Sequence, residues 1–212
     1  MACEVLPAER RAFGRLRELW ERDEIVALPM ATVYGLVTRG TSPVAVRKLR
    51  QIRRLPAPQP LTLLTSGVAQ AETVAELTPA ARQMLCHFPY PVTLIVRAKP
   101  HVDPTITDGF TSVFLACPDG FIAELVQAMP FFLVAISAQV GETLFTTFAQ
   151  VERYFKSQVA AIVNGGTCPY QHRSTLVDFT VPQPTILTYG AVSVDDLRPL
   201  LPDVVLPSHL MK

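Results

Sequence analysis

An α/β fold, one domain built on a twisted mixed sheet with flanking helices, follows from three features of the chain. Short runs of strand character alternate with amphipathic stretches of helical length throughout the sequence. Residues 131–136, FFLVAI, are a continuous apolar run of the kind found in strands covered on both faces. A hydrophobic share of 49% in 212 residues is enough for the core of one generous domain. No internal repeat, low-complexity tract or linker marks a second domain. The expected organisation is one domain over 1–212, with 1–6 and 203–212 as tails.

The elements follow in order. Phe13, Leu16, Leu19 and Trp20 recur at helical spacing and predict an amphipathic helix over 7–23. Residues 25–28 read as a short buried strand. In Thr32-Val33-Tyr34-Gly35-Leu36, Gly35 either turns the chain or lets a ligand approach the backbone. Ser42 as N-cap and Pro43 at the first helical position open a helix that runs to about Leu55, where Pro56, Pro58 and Pro60 end it. A strand at 61–64 follows, then short helices within 69–88, one of them starting at Thr78-Pro79. Strands are expected at 92–96 and 113–117, joined by a polar loop at 103–109. Pro118-Asp119 begins a helix to Met129, and the strand at 131–136 comes next. A helix at 148–156, strands at 160–163, 175–180 and 186–188, and a closing helix near 194–201 complete the chain.

Charge narrows the classes of function. With 19 Lys+Arg against 18 Asp+Glu, nothing global marks a nucleic-acid or membrane-surface binder. The local exception is the helix carrying Arg47, Lys48, Arg50, Arg53 and Arg54. Following a strand end and a glycine, it reads as an anion site, or alternatively as a solvated basic face. Residues 121–140 are strongly apolar, but Glu124, Gln127 and Pro130 make a helix followed by a strand the better reading than a membrane span. Cys3, Cys86, Cys117 and Cys168 are widely spaced, with no CxxC pair and no signal peptide. They are expected to be reduced, mostly buried thiols of a cytoplasmic protein, with no metal site. His87 and His101 have no partner at ligand-like spacing and receive no role.

Pro29-Met30-Ala31-Thr32-Val33-Tyr34-Gly35-Leu36 resembles the PTDTVYGL signature of the YrdC-like family, the threonylcarbamoyl-adenylate synthases. Other segments resemble further motifs in colinear order: Pro56 with Pro60-Leu61 (KxRP…KPL), 89–94 (PGPxTL), Ser137-Ala138-Gln139 (SAN), Asn164-Gly165-Gly166 with 174–178 (DGG…STVVD), and Tyr189-Gly190-Ala191 (RPGAI). The resemblance implies a domain around a concave cavity and an enzyme that converts threonine, bicarbonate and ATP, the last as its Mg complex, to threonylcarbamoyl-AMP and pyrophosphate. That product feeds a tRNA modification. Such chemistry depends on cations placed around phosphates and carboxylates.

The chain departs from the motifs where those cations belong. Arg53 stands at the first lysine of KxRP, Leu55 at the arginine and Gln59 at the second lysine. Ala116 and Thr188 align with arginines, Gln139 with the asparagine of SAN, and Met30-Ala31 with Thr-Asp. Leucine offers nothing to an anion where an arginine fork would bind. Candidate ligand-binding residues are Thr32, Tyr34, Arg53, Ser137, Gln139 and Ser174, three of them with a structural alternative: the two serines as caps, Tyr34 as core or rim. Arg47, Lys48, Arg50 and Arg54 are the candidate surface for phosphate, RNA or a partner. Arg173, where the family has an acidic residue, is either a new positive group or a loop charge. No residue is assigned a catalytic role. Two functions follow. One is a domain that has lost synthase activity and serves as a binding or regulatory module for RNA, the ribosome or a protein assembly. The other is an active synthase with a rearranged site.

Overall fold

Alternation along the strands decides how this chain packs. Leu63, Leu94, Leu115, Val134 and Ile136 point to one core, whereas Val37, Leu64, Leu133 and Ala135, their sequence neighbours or partners, point to a second core across the sheet. The computed structural model describes residues 3–54, 58–87 and 91–206. Its strands are β1 (Glu4–Pro7), β2 (Val26–Pro29), β3 (Tyr34–Arg39), β4 (Thr62–Leu64), β5 (Ala75–Glu76), β6 (Val92–Ala98), β7 (Ser112–Ala116), β8 (Leu133–Ser137), β9 (Gln139–Val140), β10 (Thr143–Leu144), β11 (Ala161–Asn164), β12 (Thr175–Asp178) and β13 (Thr185–Thr188). The α-helices are α1 (Phe13–Glu21), α2 (Pro43–Arg53), α3 (Val68–Val74), α4 (Pro79–Cys86), α5 (Pro104–Thr107), α6 (Gly120–Ala128), α7 (Phe148–Phe155) and α8 (Val194–Leu197).

Ten strands run across one mixed sheet in the order β1-β11-β2-β3-β8-β4-β7-β6-β12-β13, with β5 paired to β6; β9 and β10 form a separate hairpin. Pairing is parallel for β1/β11, β11/β2, β4/β7 and β6/β12 and antiparallel elsewhere in that order. On one face, helices α2, α3 and α4 bury Val46, Leu49, Ala71, Met84 and Leu85 against the sheet. On the other, α1 and α6 bury Leu16, Trp20, Ile122, Leu125 and Val126. Full burial of each such Leu, Val or Ile contributes about 1.5–3 kcal/mol. Trp20 also donates its indole N–H to the carbonyl of Val37 at 3.1 Å, which satisfies its polar atom inside the core.

Several expectations meet corrections. Residues 4–7, expected within or beside a tail, form β1, which pairs in parallel with β11 and is held further by an ion pair of Glu4 with Arg15. At the other end Val205 donates its N–H to Pro184 at 2.8 Å, so 203–206 lie against β13; 207–212 fall outside the described residues. Gly35 is not in the turn. The bend is at 31–33, and Gly35 sits inside β3 opposite Ser137. A Cβ there would come within 3.1 Å of the Met30 methyl, a tight contact that a small shift of the methionine end would relieve. The 103–109 loop contains α5, capped by the Asp103 carboxylate accepting from Thr105 N–H at 2.8 Å. Of the cysteines only Cys168 is buried; Cys3 and Cys117 are partly buried, Cys86 is exposed, and all four are free thiols. The expected helix end at Leu55-Pro56 and the segment 88–90 lie outside the described residues. No helix among the described residues is long and apolar enough to cross a membrane.

Candidate functional site

Helices α1 and α6 cover only part of their face of the sheet. The part left open, over the ends of β3, β8, β4, β7 and β6, carries small and hydroxylated side chains where a core would carry leucines. Gly35, Thr62, Thr93, Ala116, Ala135 and Ser137 line the inner chamber there, whose volume is about 140 Å³. A second chamber of about 200 Å³ shares Thr62, Thr93, Ser137 and Ser174 with it and adds Arg53, Gln139 and Arg173. Arg53, Gln139 and Arg173 then also line an outer, open groove of about 990 Å³. Inner chamber, middle chamber and groove form one cleft whose charge rises outward.

The sequence candidates converge on it. Thr32 and Ser137 line the inner chamber, Ser137 at the last position of β8. Ser174, just before β12, shares a 2.6 Å hydrogen bond with Thr93 on β6, a contact made possible by the parallel register of β12 and β6. Gln139 opens β9 and donates its amide to the Gly141 carbonyl at 2.5 Å, which turns the side chain along the hairpin. Arg53, the last residue of α2, reaches the cleft and donates Nε–H to the Ser137 carbonyl at 3.1 Å. Burial pushes its guanidinium below the ordinary arginine value, and no carboxylate offsets that push. A desolvated cation without a counter-charge is a place for an anionic group.

Three candidates make contacts within the fold. Tyr34 is fully buried; its hydroxyl accepts from Gly165 N–H and donates to the Gly166 carbonyl, both at 3.2 Å, so it ties β3 to the 164–166 turn while its body forms chamber wall. Burial raises its pKa. On α2 the basic stripe divides. Arg50 turns inward, donating to the carbonyls of Thr105, Ile106 and Gln59 and to the Asp108 carboxylate at 2.8–3.1 Å. Lys48 pairs with Glu24. Only Arg47 and Arg54 of the four remain exposed, so the expected basic face is half committed within the fold.

Sequence reasoning passed over Thr93 and Thr62, which line both the inner and the middle chamber. Thr93 is the threonine of the PGPxTL-like segment, so a signal for it was present. Thr62 had none. Asp119 and Cys117 also stand on the inner wall; burial pushes the Cys117 thiol up to about 11, which keeps it protonated near neutrality. Among the described residues no group of three or more His, Cys, Asp or Glu side chains is placed to hold a metal.

The family described as "Telomere recombination", Sua5/YciO/YrdC, matches residues 18–190. This chain belongs to the Sua5/YciO/YrdC family. Among its relatives are the threonylcarbamoyl-AMP synthases of Pyrococcus abyssi and Bacillus subtilis, each 28% identical over 92% and 97% of this chain. The chain spans only 57% and 59% of those two proteins' own length. Among solved structures, P. abyssi Sua5 complexed with L-threonine superposes with a TM-score of 0.88 at 25% identity, covering 98% of this chain and 63% of that one. E. coli YciO, at 20% identity, shares the fold with a TM-score of 0.83 over 95% of this chain and all of its own.

In this Sua5/YciO/YrdC chain the substituted motif positions fall on the cleft walls. Ala116 and Met30 line the inner chamber, and Thr188 and Gln59 the middle one. Leu55 lies outside the described residues.

Proposed function

We propose that this chain is a threonylcarbamoyl-AMP synthase-type domain that joins threonine, bicarbonate and ATP in the cleft and releases pyrophosphate. The observation that carries the reading is the half-buried Arg53 guanidinium, which has no carboxylate partner among the described residues and stands at the junction of a small hydroxyl-lined chamber and a wider polar one. The inner chamber suits a small amino acid: Thr32, Ser137 and the Ser174–Thr93 pair offer hydroxyls against apolar walls. The middle chamber suits phosphate, which Arg53 would meet with its two outer nitrogens. Mg²⁺ would arrive with ATP as part of the substrate. The 28% identity to proteins named for this activity supports the same reading.

A second reading is favoured by Ala116 and Thr188, which put a methyl and a hydroxyl on walls where the family motifs carry arginine. In it the chain has lost turnover, binds nucleotide very weakly or not at all, and acts as a binding or regulatory module toward RNA, the ribosome or a protein partner. An RNA contact by α2 would then rest on Arg47 and Arg54, since Arg50 and Lys48 are engaged elsewhere.

One assay separates the readings. Pyrophosphate release from ATP is expected to require both threonine and bicarbonate, and Arg53→Ala should lower it by at least tenfold, the worth of one charge-assisted contact of about 1.5–3 kcal/mol. No release, with nucleotide binding very weak or absent, would select the second reading.

A further inference from the structure

Three guanidinium groups line the middle chamber and outer groove: Arg53 and Arg54 from the end of α2, and Arg173 from the loop before β12. Among the described residues Glu142 is the single carboxylate with them on those walls. Among the described residues none of the three arginines takes part in an ion pair. Arg54 holds a left-handed backbone at the C-cap of α2, φ 48°, which carries its side chain off the helix axis and into the groove wall.

Arg173 sits on a backbone that is fixed from behind. Its carbonyl accepts from Ala191 N–H at 2.9 Å, and Gly190 lies so close that a Cβ there would come within 2.4 Å of the same carbonyl and 2.2 Å of Ser174. The next residue, Ser174, is tied to Thr93 on the sheet. The loop therefore presents residue 173 from a set position, and its side chain lines the same two spaces as Arg53 of α2.

We propose that Arg173 is a phosphate-binding residue of this chain. It works with Arg53 from a different element lining the same spaces, so that a polyphosphate is held by both and runs outward toward Arg54. Two guanidinium forks approaching from different elements suit a multivalent anion better than a single carboxylate, because each fork can take separate oxygens. Arg173 thus restores charge to a cleft whose Ala116 and Thr188 positions are neutral. The inference rests on the cleft being the ligand site, and it assigns this chain's own residue to the phosphate end of the ligand.

Calorimetric titration of the purified chain with inorganic pyrophosphate tests it. The unmodified chain is expected to bind, with affinity that falls as salt is raised. Arg173→Ala should weaken binding about tenfold or more, Arg173→Glu further, and Arg173→Lys should recover part of the loss. Arg22→Ala removes an exposed arginine that lines none of the three spaces and should leave binding unchanged. Equal melting temperatures across the Arg173 series would keep a folding defect from imitating the result. The proposal is overturned if the unmodified chain does not bind pyrophosphate, if the Ala and Glu variants bind as well as it does, or if Arg22→Ala weakens binding equally. Turnover assays separate this from the synthase reading. Turnover with an unchanged KM for ATP in Arg173→Ala removes the Arg173 role alone. Arg173-dependent pyrophosphate binding without turnover removes the synthase reading alone.

Discussion

At the scale of single residues, the cleft separates side chains of the same type by their surroundings. Arg50 and Arg53 are one helical turn apart on α2, yet Arg50 meets three carbonyls and a carboxylate while Arg53 meets one carbonyl. For both, burial lowers the pKa, but only Arg50 has Asp108 pulling it back up. The thiols divide in the same way. Cys117 and Cys168 are pushed up to about 11 by burial, and Cys86 is exposed. Alkylation at pH 8, followed by peptide mass spectrometry, should therefore label Cys86 first. The rate at Cys117 should keep climbing as pH rises toward 10, because its thiolate fraction is still growing there. A ligand in the inner chamber should slow Cys117, which stands on its wall, and leave Cys86 unaffected.

Among the elements, α2 links core and site. Its start is set locally: the Ser42 hydroxyl accepts from Ala45 N–H and Pro43 occupies the first turn. Its buried face packs Ala45, Val46 and Leu49 on the sheet. Its end is tied to the 103–109 segment through Arg50. Replacing Arg50 by Ala removes the guanidinium from the Thr105 and Gln59 carbonyls, while Asp108 keeps the Gln59 N–H and Ile106 the Leu61 N–H, and is expected to destabilise the fold by about 1–3 kcal/mol. Urea denaturation followed by circular dichroism measures that loss. Arg47→Ala, on the exposed face of the same helix, should stay within about 0.5 kcal/mol of the parent. Equal losses would mean that the Arg50 network contributes nothing beyond a surface charge.

For the whole molecule, pH sensitivity follows from carboxylates tied down in the fold. Asp103 is lowered by hydrogen bonds from Thr105, Glu4 by Arg15 and Asp196 by Ser193; Asp23 ends lower because Ser42, Arg39 and Lys48 outweigh its burial. A carboxyl whose folded pKa is depressed contributes stability that is present above its unfolded value and is lost as pH falls through the folded one. Stability should therefore hold from neutrality to the ordinary carboxylate range of about 4 and decline below it. Urea midpoints at pH 7, 5 and 3 give the check: equal midpoints at pH 7 and 5 and a lower one at pH 3 are expected. Asp103→Asn should shrink the drop between pH 5 and pH 3.

The sequence by itself determined the fold class, the order of most strands and helices, and the family, because hydrophobic period, helix caps and colinear motifs are local features. Ser42 and Thr78 both cap the helices their positions suggest, since capping needs only residues within one turn. It did not resolve β1, whose partner β11 lies more than 150 positions away, or the inward turn of Arg50 toward the 103–109 segment. Nor did it reveal that Thr62 and Thr93 share a cavity wall with Ser137 and Ser174. Those facts depend on strand order and register, which bring distant positions to one open part of the sheet. Tertiary structure alone decided which of the many arginines line the cleft and which are engaged within the fold.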